Sequence, residues 1–199
     1  MKHAEYEGED ELPIIQPVNE LPSRLIRFSE SVSTKDFDQW VHFYEHDCKF
    51  TVVWDNPRKY LPKLKKFRGV ITPDFSLYRD MPLVMQKWNI YRSRALGHWW
   101  QSQGLKVLPN VRYGDERTYS FCCNGVPANA TICISSYGCL KDPTNRVMFR
   151  KGLRFVSGHL KPSCIVVYDG IPDDVFSCCT DAGIKLVHFA GGWRKKVSA

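Results

Sequence analysis

The sequence predicts an α/β fold of repeated strand–helix units, and three observations predict it. Short apolar runs recur along the chain: Gly69-Val70-Ile71-Thr72, Lys106-Val107-Leu108-Pro109-Asn110-Val111-Arg112, Ala130-Thr131-Ile132-Cys133-Ile134-Ser135, Cys164-Ile165-Val166-Val167-Tyr168 and Ile184-Lys185-Leu186-Val187-His188-Phe189. Stretches that can form helices separate most of them. A polar or glycine-containing cluster closes nearly every run. Strands that are apolar throughout, rather than at alternate positions, are buried on both faces, which is the mark of a parallel sheet covered by helical crossovers. Two closures satisfy this pattern, a reduced or irregular TIM-like barrel and an open doubly wound sheet. The barrel-like form is favoured because polar clusters end nearly every strand, although 199 residues is short of the ~250 typical of eight units.

Each element follows from local chemistry. Residues 1–22 hold Glu5, Glu7, Glu9, Asp10 and Glu11 with Pro13, Pro17 and Pro22, and read as an acidic tail laid on the surface by Leu12, Ile14 and Ile15. Residues 23–199 form a single α/β domain. Ser33 or Thr34 can cap a helix over 34–46, in which Phe37, Trp40, Val41 and Tyr44 recur at helical spacing. Phe50-Thr51-Val52-Val53-Trp54 then reads as the first of six strands. A basic helix over 58–67 leads to the strand at 69–72, and a long helix over 82–103 stops at Gly104, which suits the left-handed closing turn. The remaining strands, at 106–112, 130–135, 164–168 and 184–189, are separated by a short irregular piece and by helices over 145–160 and 173–182.

Composition narrows the function classes. The net charge is +7, yet the first twelve residues set five carboxylates against the single Lys2, so the body is more basic than the total. Summed positive potential favours a polyanionic partner, here nucleic acid, with DNA or RNA left open. Eight cysteines lie at 48, 122, 123, 133, 139, 164, 178 and 179 with no C-x-x-C spacing, which suits free thiols in a cytoplasmic protein. No run approaches the ~18 apolar residues of a membrane span. Neither G-x-G-x-x-G nor a P-loop occurs, so no nucleotide cofactor is expected. His42-Phe43-Tyr44-Glu45-His46 resembles the inverted zinc-protease order, but it precedes the repeats and lies on a short helix, and no metal is assigned to it. The oligomeric state is open.

Sites in parallel α/β proteins lie beyond the carboxyl ends of the strands. That rule selects two strings, Thr72-Pro73-Asp74-Phe75-Ser76 and Pro109-Asn110-Val111-Arg112-Tyr113-Gly114-Asp115. Asp74 and Asp115 are the candidate catalytic carboxylates. Ser76, Asn110, Arg112 and Tyr113 are candidate substrate contacts: a guanidinium fork suits phosphate, an amide can read a base edge, and a phenol can stack. Ser136 and Tyr137 in Ser135-Ser136-Tyr137-Gly138, and Tyr168 and Asp169 before Gly170, complete the list. The basic helix offers Arg58, Lys59, Lys63, Lys65, Lys66 and Arg68 for a phosphate backbone, and Trp193-Arg194-Lys195-Lys196 adds to it.

The same two strings resemble those of an uncharacterised family of phage and mobile-element proteins known only as a domain of unknown function. The likeness runs over about residues 22–190 and implies a phage habitat without a chemistry. A more distant likeness is to barrel enzymes of the tRNA-guanine transglycosylase type, with Asp74-Phe75-Ser76 partly similar to their strand-end aspartate string. It implies N-glycosidic chemistry in which Asp74 stabilises an oxocarbenium-like centre or activates water, Arg112 holds phosphate, and Asn110 with Tyr113 reads an extruded base. Two alternatives stand beside it. One is a non-catalytic binder of nucleic acid or a host protein, and the other a metal-dependent phosphodiesterase built on Asp55, Asp74, Asp115 and Asp169.

Overall fold

A computed structural model describes residues 4–191, so Trp193-Arg194-Lys195-Lys196 lies outside the described residues. The described part of the acidic segment is an anchored strap. Strands β1 (Tyr6–Glu7) and β2 (Leu12–Pro13) pair antiparallel. Leu12 and Ile15 are buried. The Glu7 carboxylate accepts the Gly125 amide at 2.7 Å, Asp10 pairs with Lys87 at 2.9 Å, and Gln16 and Gln101 exchange two hydrogen bonds of 2.8 Å. Leu12 and Ile15 were expected to lay the segment on the surface; the two engaged carboxylates are what the expectation of a tail left out.

The domain proper runs β3 (Leu25–Arg27), α1 (Phe28–Ser31), β4 (Trp40–His42), α2 (Val52–Asp55), α3 (Pro57–Leu64), β5 (Gly69–Ile71), α4 (Leu83–Ser102), β6 (Val107–Leu108), β7 (Thr131–Ser135), α5 (Pro143–Leu160), β8 (Cys164–Tyr168), α6 (Asp173–Thr180) and β9 (Lys185–Phe189). Strands β3-β4-β5-β6 form one parallel sheet and β7-β8-β9 another, each in chain order. A single parallel bridge, Asn110 with Cys133, joins them. It is held by Val111 N–H to the Cys133 carbonyl and Cys133 N–H to the Pro109 carbonyl, both 2.8 Å.

Successive side chains on a strand face opposite ways, and the packing obeys this across both sheets. Leu25, Trp40, Ile71, Leu108, Cys133, Val166, Tyr168, Val187 and Phe189 meet in one inner cluster to which all seven strands contribute. Their neighbours Ile26, Val41, Val70 and Val107 face α3 and α4 on one outer flank, and Ile132, Ile134, Ile165 and Val167 face α5 and α6 on the other. Gly69 makes room for the inner Trp40, since a Cβ there would lie 2.4 Å from the indole. The arrangement is curled. Three strands separate β4 from β8, which a flat sheet would hold roughly 19 Å apart at about 4.8 Å per strand. Yet the His42 and Tyr168 rings are 4.6 Å apart, and those of Tyr44 and Tyr168 are 5.0 Å apart. Among the described residues no ladder joins β3 to β9, so the result is two parallel sheets curled toward one another and not a completed eight-stranded barrel.

Two expected elements are corrected. Residues 34–46 hold β4 and not a helix, and 50–54 hold the short helix α2 and not a strand. The apolar positions of the first segment serve both faces of a buried strand, Trp40 and Tyr44 inward and Val41 and Phe43 outward, so their spacing mimics helical periodicity. In the second, Val53 is buried while Trp54 turns to meet Trp88 edge-on at 5.3 Å, and tertiary contacts override β-propensity. The strand β3 was not anticipated. Among the described residues no helix is long and apolar enough to cross a membrane.

Candidate functional site

The loop after β5 is fixed from below before its carboxylate is presented. Thr72 is fully buried, and its hydroxyl accepts the Asn110 amide at 2.8 Å. The Pro73 carbonyl accepts Ser93 Oγ at 2.8 Å, and the Ser76 carbonyl accepts Asn89 Nδ2 at 2.7 Å, both donors standing on α4. Ser76 itself donates from its amide and hydroxyl to Asp47, at 3.1 and 2.8 Å. Phe75 is buried beneath the Arg92 guanidinium, 3.8 Å from its ring centre. Ser76, expected to meet substrate, is therefore a turn residue that holds Asp74 in place.

Asp74 sits at the centre of a short polar chain. Its Oδ1 accepts Asn110 Nδ2 at 2.7 Å, and its Oδ2 lies 3.5 Å from Arg112. Asn110 Oδ1 in turn accepts the Tyr44 hydroxyl at 3.2 Å. Both ends of the Asn110 amide are thus committed within the protein, and its role is to orient Asp74. Burial pushes the Asp74 carboxyl above its usual range, while Arg112 and the Asn110 amide pull the other way. The same pairing drives the Arg112 guanidinium further up, so it remains a cation. The Asp74 side chain keeps 12% of its surface exposed.

Arg112 also lines a cleft of about 550 Å³, together with Tyr78, Arg79, Gly138 and Asn145. Tyr113 contributes to its wall but is buried, with its hydroxyl donating to the Phe149 carbonyl at 3.1 Å. Its ring lies flush on α5, where a Cβ on Gly152 would approach to 2.2 Å. A stacking platform for a base is not what this ring provides. Asp115 caps the 3-10 turn Glu116–Thr118 by accepting the Arg117 amide and side chain at 3.0 Å, which holds its carboxyl below the usual range.

The other strand ends lie apart from Asp74. Ser136 donates to the Gly170 carbonyl at 2.7 Å, and Tyr137 packs against the inner cluster. Tyr168 belongs to that cluster, and Asp169 adopts positive φ at the end of β8. The basic stretch is partly consumed by the fold. Lys63 donates to the Thr34 carbonyl at 2.8 Å, Arg68 pairs with Glu20 at 2.8 Å, and Lys59 and Lys66 lie over the Tyr60 and Phe37 rings. Arg58 and Lys65 are exposed. Of the four carboxylates in the metal-dependent alternative, Asp55 ends α2 and Asp115 is a cap. Among the described residues no group of three His, Cys, Asp or Glu side chains is gathered for an ion.

Three residues of this region were not placed at the strand ends by the sequence. Tyr44 and His42 lie in the stretch that reads as a helix; taken as a strand end, His42-Phe43-Tyr44 would have joined the candidates. Arg94 is a buried cation whose three donors reach the carbonyls of Asn110, Cys122 and Asn124 at 2.9–3.0 Å, clamping the β6 end from behind. Burial lowers its guanidinium to about 10. Nothing in its local sequence separates it from the exposed arginines of a helix.

This is the anatomy of an α/β protein whose polar site forms where parallel strands end. The chain belongs to the family described as Domain of unknown function (DUF4417), whose model matches residues 4–187. It is similar to the Gene 1 protein of Mycobacterium phage D29, 36% identical over 163 residues, covering 79% of this chain and 60% of that protein. It is also similar to the Gene 1 protein of Mycobacterium phage L5, 33% identical over 162 residues, covering 79% of this chain and 70% of that protein. The chain thus spans less than two thirds of the D29 relative. No solved structure matches. The phage kinship that the two strand-end strings implied is shown.

Proposed function

We propose that the chain is an enzyme acting on nucleic acid at an N-glycosidic bond, with Asp74 as the group that meets the reacting sugar. The observation that carries this reading is the Asp74 carboxylate, seated between the Asn110 amide and the Arg112 guanidinium, the second of which lines the 550 Å³ cleft. A carboxylate held there can stabilise positive charge developing on the sugar ring or take a proton from attacking water. Arg112 and Arg79 supply cations where the cleft would receive a phosphate. Asn110 and Tyr44 position the carboxylate and do not read the base. A strand-end site and a basic body support the substrate class.

A second reading rests on a different surface. Val84 is 72% exposed and Trp88 48%, with Met85 beside them on the outer face of α4. Exposed apolar groups clustered on one helix face favour a protein partner, so a non-catalytic binder of a host protein is the alternative.

Release of free base from single- and double-stranded DNA and RNA oligonucleotides, modified and unmodified, tests the enzymatic reading. Base release that persists in EDTA is expected. No release from any substrate would favour the binder, and strand scission abolished by EDTA would favour the metal-dependent alternative.

A further inference from the structure

The strand ends carry a second opening, distinct from the Asp74 cleft and sharing none of its lining residues. It is a cavity of about 200 Å³ at the mouth of β3, β4, β8 and β9, lined by Leu25, Arg27, Glu30, His42, Tyr168 and Phe189. We propose that it is a nucleobase subsite, in which a neutral planar heterocycle turns an acceptor edge toward His42 and Arg27. The inference deepens the nucleic-acid reading and rests on it for the identity of the ring.

His42 carries the argument. Its side chain is 2% exposed, and its Nδ1 accepts the Tyr44 backbone amide at 3.2 Å. A nitrogen that accepts cannot also bear a proton, so the ring is neutral and its proton sits on Nε2. Burial, reinforced by Arg27, lowers the imidazole to about 3, which keeps that tautomer at every physiological pH. His42 therefore offers the cavity a fixed neutral N–H donor.

Charge then decides the class of ligand. Arg27 hydrogen-bonds Tyr168 and is answered by Glu30 at 3.4 Å, and the Glu45 carboxylate, which binds Ser29, also acts on it electrostatically. With two carboxylates beside one guanidinium, the mouth has no surplus positive potential to hold a phosphate. A neutral ring with both acceptors and donors suits it, since Glu30 can accept while His42 and Arg27 donate. Tyr168, Phe189 and Leu25 supply aromatic and apolar walls. The volume falls below the roughly 300 Å³ at which sites for whole small molecules begin, so one ring system fits and a nucleotide does not. The subsite is also wired to the Asp74 cleft, through Tyr44 N–H to His42, Tyr44 O–H to Asn110, and Asn110 to Asp74.

Titration calorimetry with adenosine, guanosine, cytidine and thymidine, and with inorganic phosphate and deoxyribose 5-phosphate as controls, tests this. At least one nucleoside should bind at millimolar concentration or below. His42→Ala and Arg27→Gln should each weaken it about tenfold, the equivalent of one hydrogen bond to a neutral ligand. Phe189→Ala, at the exposed end of the last strand, gives a third variant if His42→Ala fails to fold. Histidine ¹⁵N spectra should show a neutral His42 whose Nε2 resonance moves on binding. No nucleoside binding, binding indifferent to these substitutions, or phosphate binding in preference to nucleosides would overturn the proposal. The two readings fail separately. Nucleoside binding without base release would remove the Asp74 chemistry and leave the subsite, whereas base release indifferent to His42 and Arg27 would do the reverse.

Discussion

His42 shows how one buried side chain ties the site to stability. It protonates near 6.5 when the chain is unfolded and near 3 when folded. The folded value is the depressed one, so the unfolded state binds the extra proton as pH falls below 6.5. Stability is full above that pH and is lost progressively down to about 3, at up to about 1.4 kcal/mol per pH unit. Between pH 6.5 and 5, before most carboxylates titrate, thermal melts of the wild type should therefore fall. His42→Asn, which keeps an acceptor for the Tyr44 amide and removes the titration, should melt with a flatter slope over that interval. Equal slopes would mean that His42 is not buried as a neutral imidazole. At this scale the sequence revealed Asp74, Asn110 and Arg112, because each is a polar residue directly after an apolar run. It concealed His42, Tyr44 and Arg94, because burial of a polar group is decided by chain segments far away in sequence: Tyr44 meets Asn110 and Arg94 meets Cys122.

Elements were legible where one periodicity dominates. The strands β5 through β9 and the helices α4, α5 and α6 follow from apolar runs and helical stretches set off by glycine or proline. The first third of the domain was misread because its aromatic residues are buried on both faces: Trp40 and Tyr44 face inward, while Phe43 and Phe50 pack outward near Trp100. The helix α3 is where an element-level prediction belongs. Lys63 is tied to Thr34 and Arg68 to Glu20, which leaves the exposed Arg58 and Lys59 on the helix and Lys65 just past it with side chains able to reach a phosphate backbone. Reversing these three charges should weaken duplex binding equally across sequences. It should also flatten the dependence of log affinity on log salt by about 0.9 for each contact removed. Filter binding across a salt series reads both, and an unchanged slope would make α3 a solvated face.

The whole molecule explains why these residues meet. Parallel strands in chain order curl until β4 faces β8, and that curl gathers the strand ends of one chain into two neighbouring openings, one lined by Arg112 and one by His42. The repeat pattern announced the parallel sheets. It left their closure open between a reduced barrel and an open sheet, because whether β3 meets β9 depends on curl, and among the described residues no ladder joins them. The basic body follows the same logic, with the acidic strap consuming some cations, as Asp10 does Lys87, and leaving others at the surface.

The account turns on Asp74, and Asp74→Asn probes it most directly. The amide keeps the shape of the carboxyl and an oxygen able to accept from Asn110, while Arg112 loses its ion partner, so the melt should fall by no more than the ~3–5 kcal/mol of a broken buried pair. Base release, measured beside the melt on the substrate that the wild type processes fastest, should drop at least ~100-fold, the scale of losing a positioned acid or base. A mutant that folds like the wild type and releases base at the wild-type rate would contradict the account.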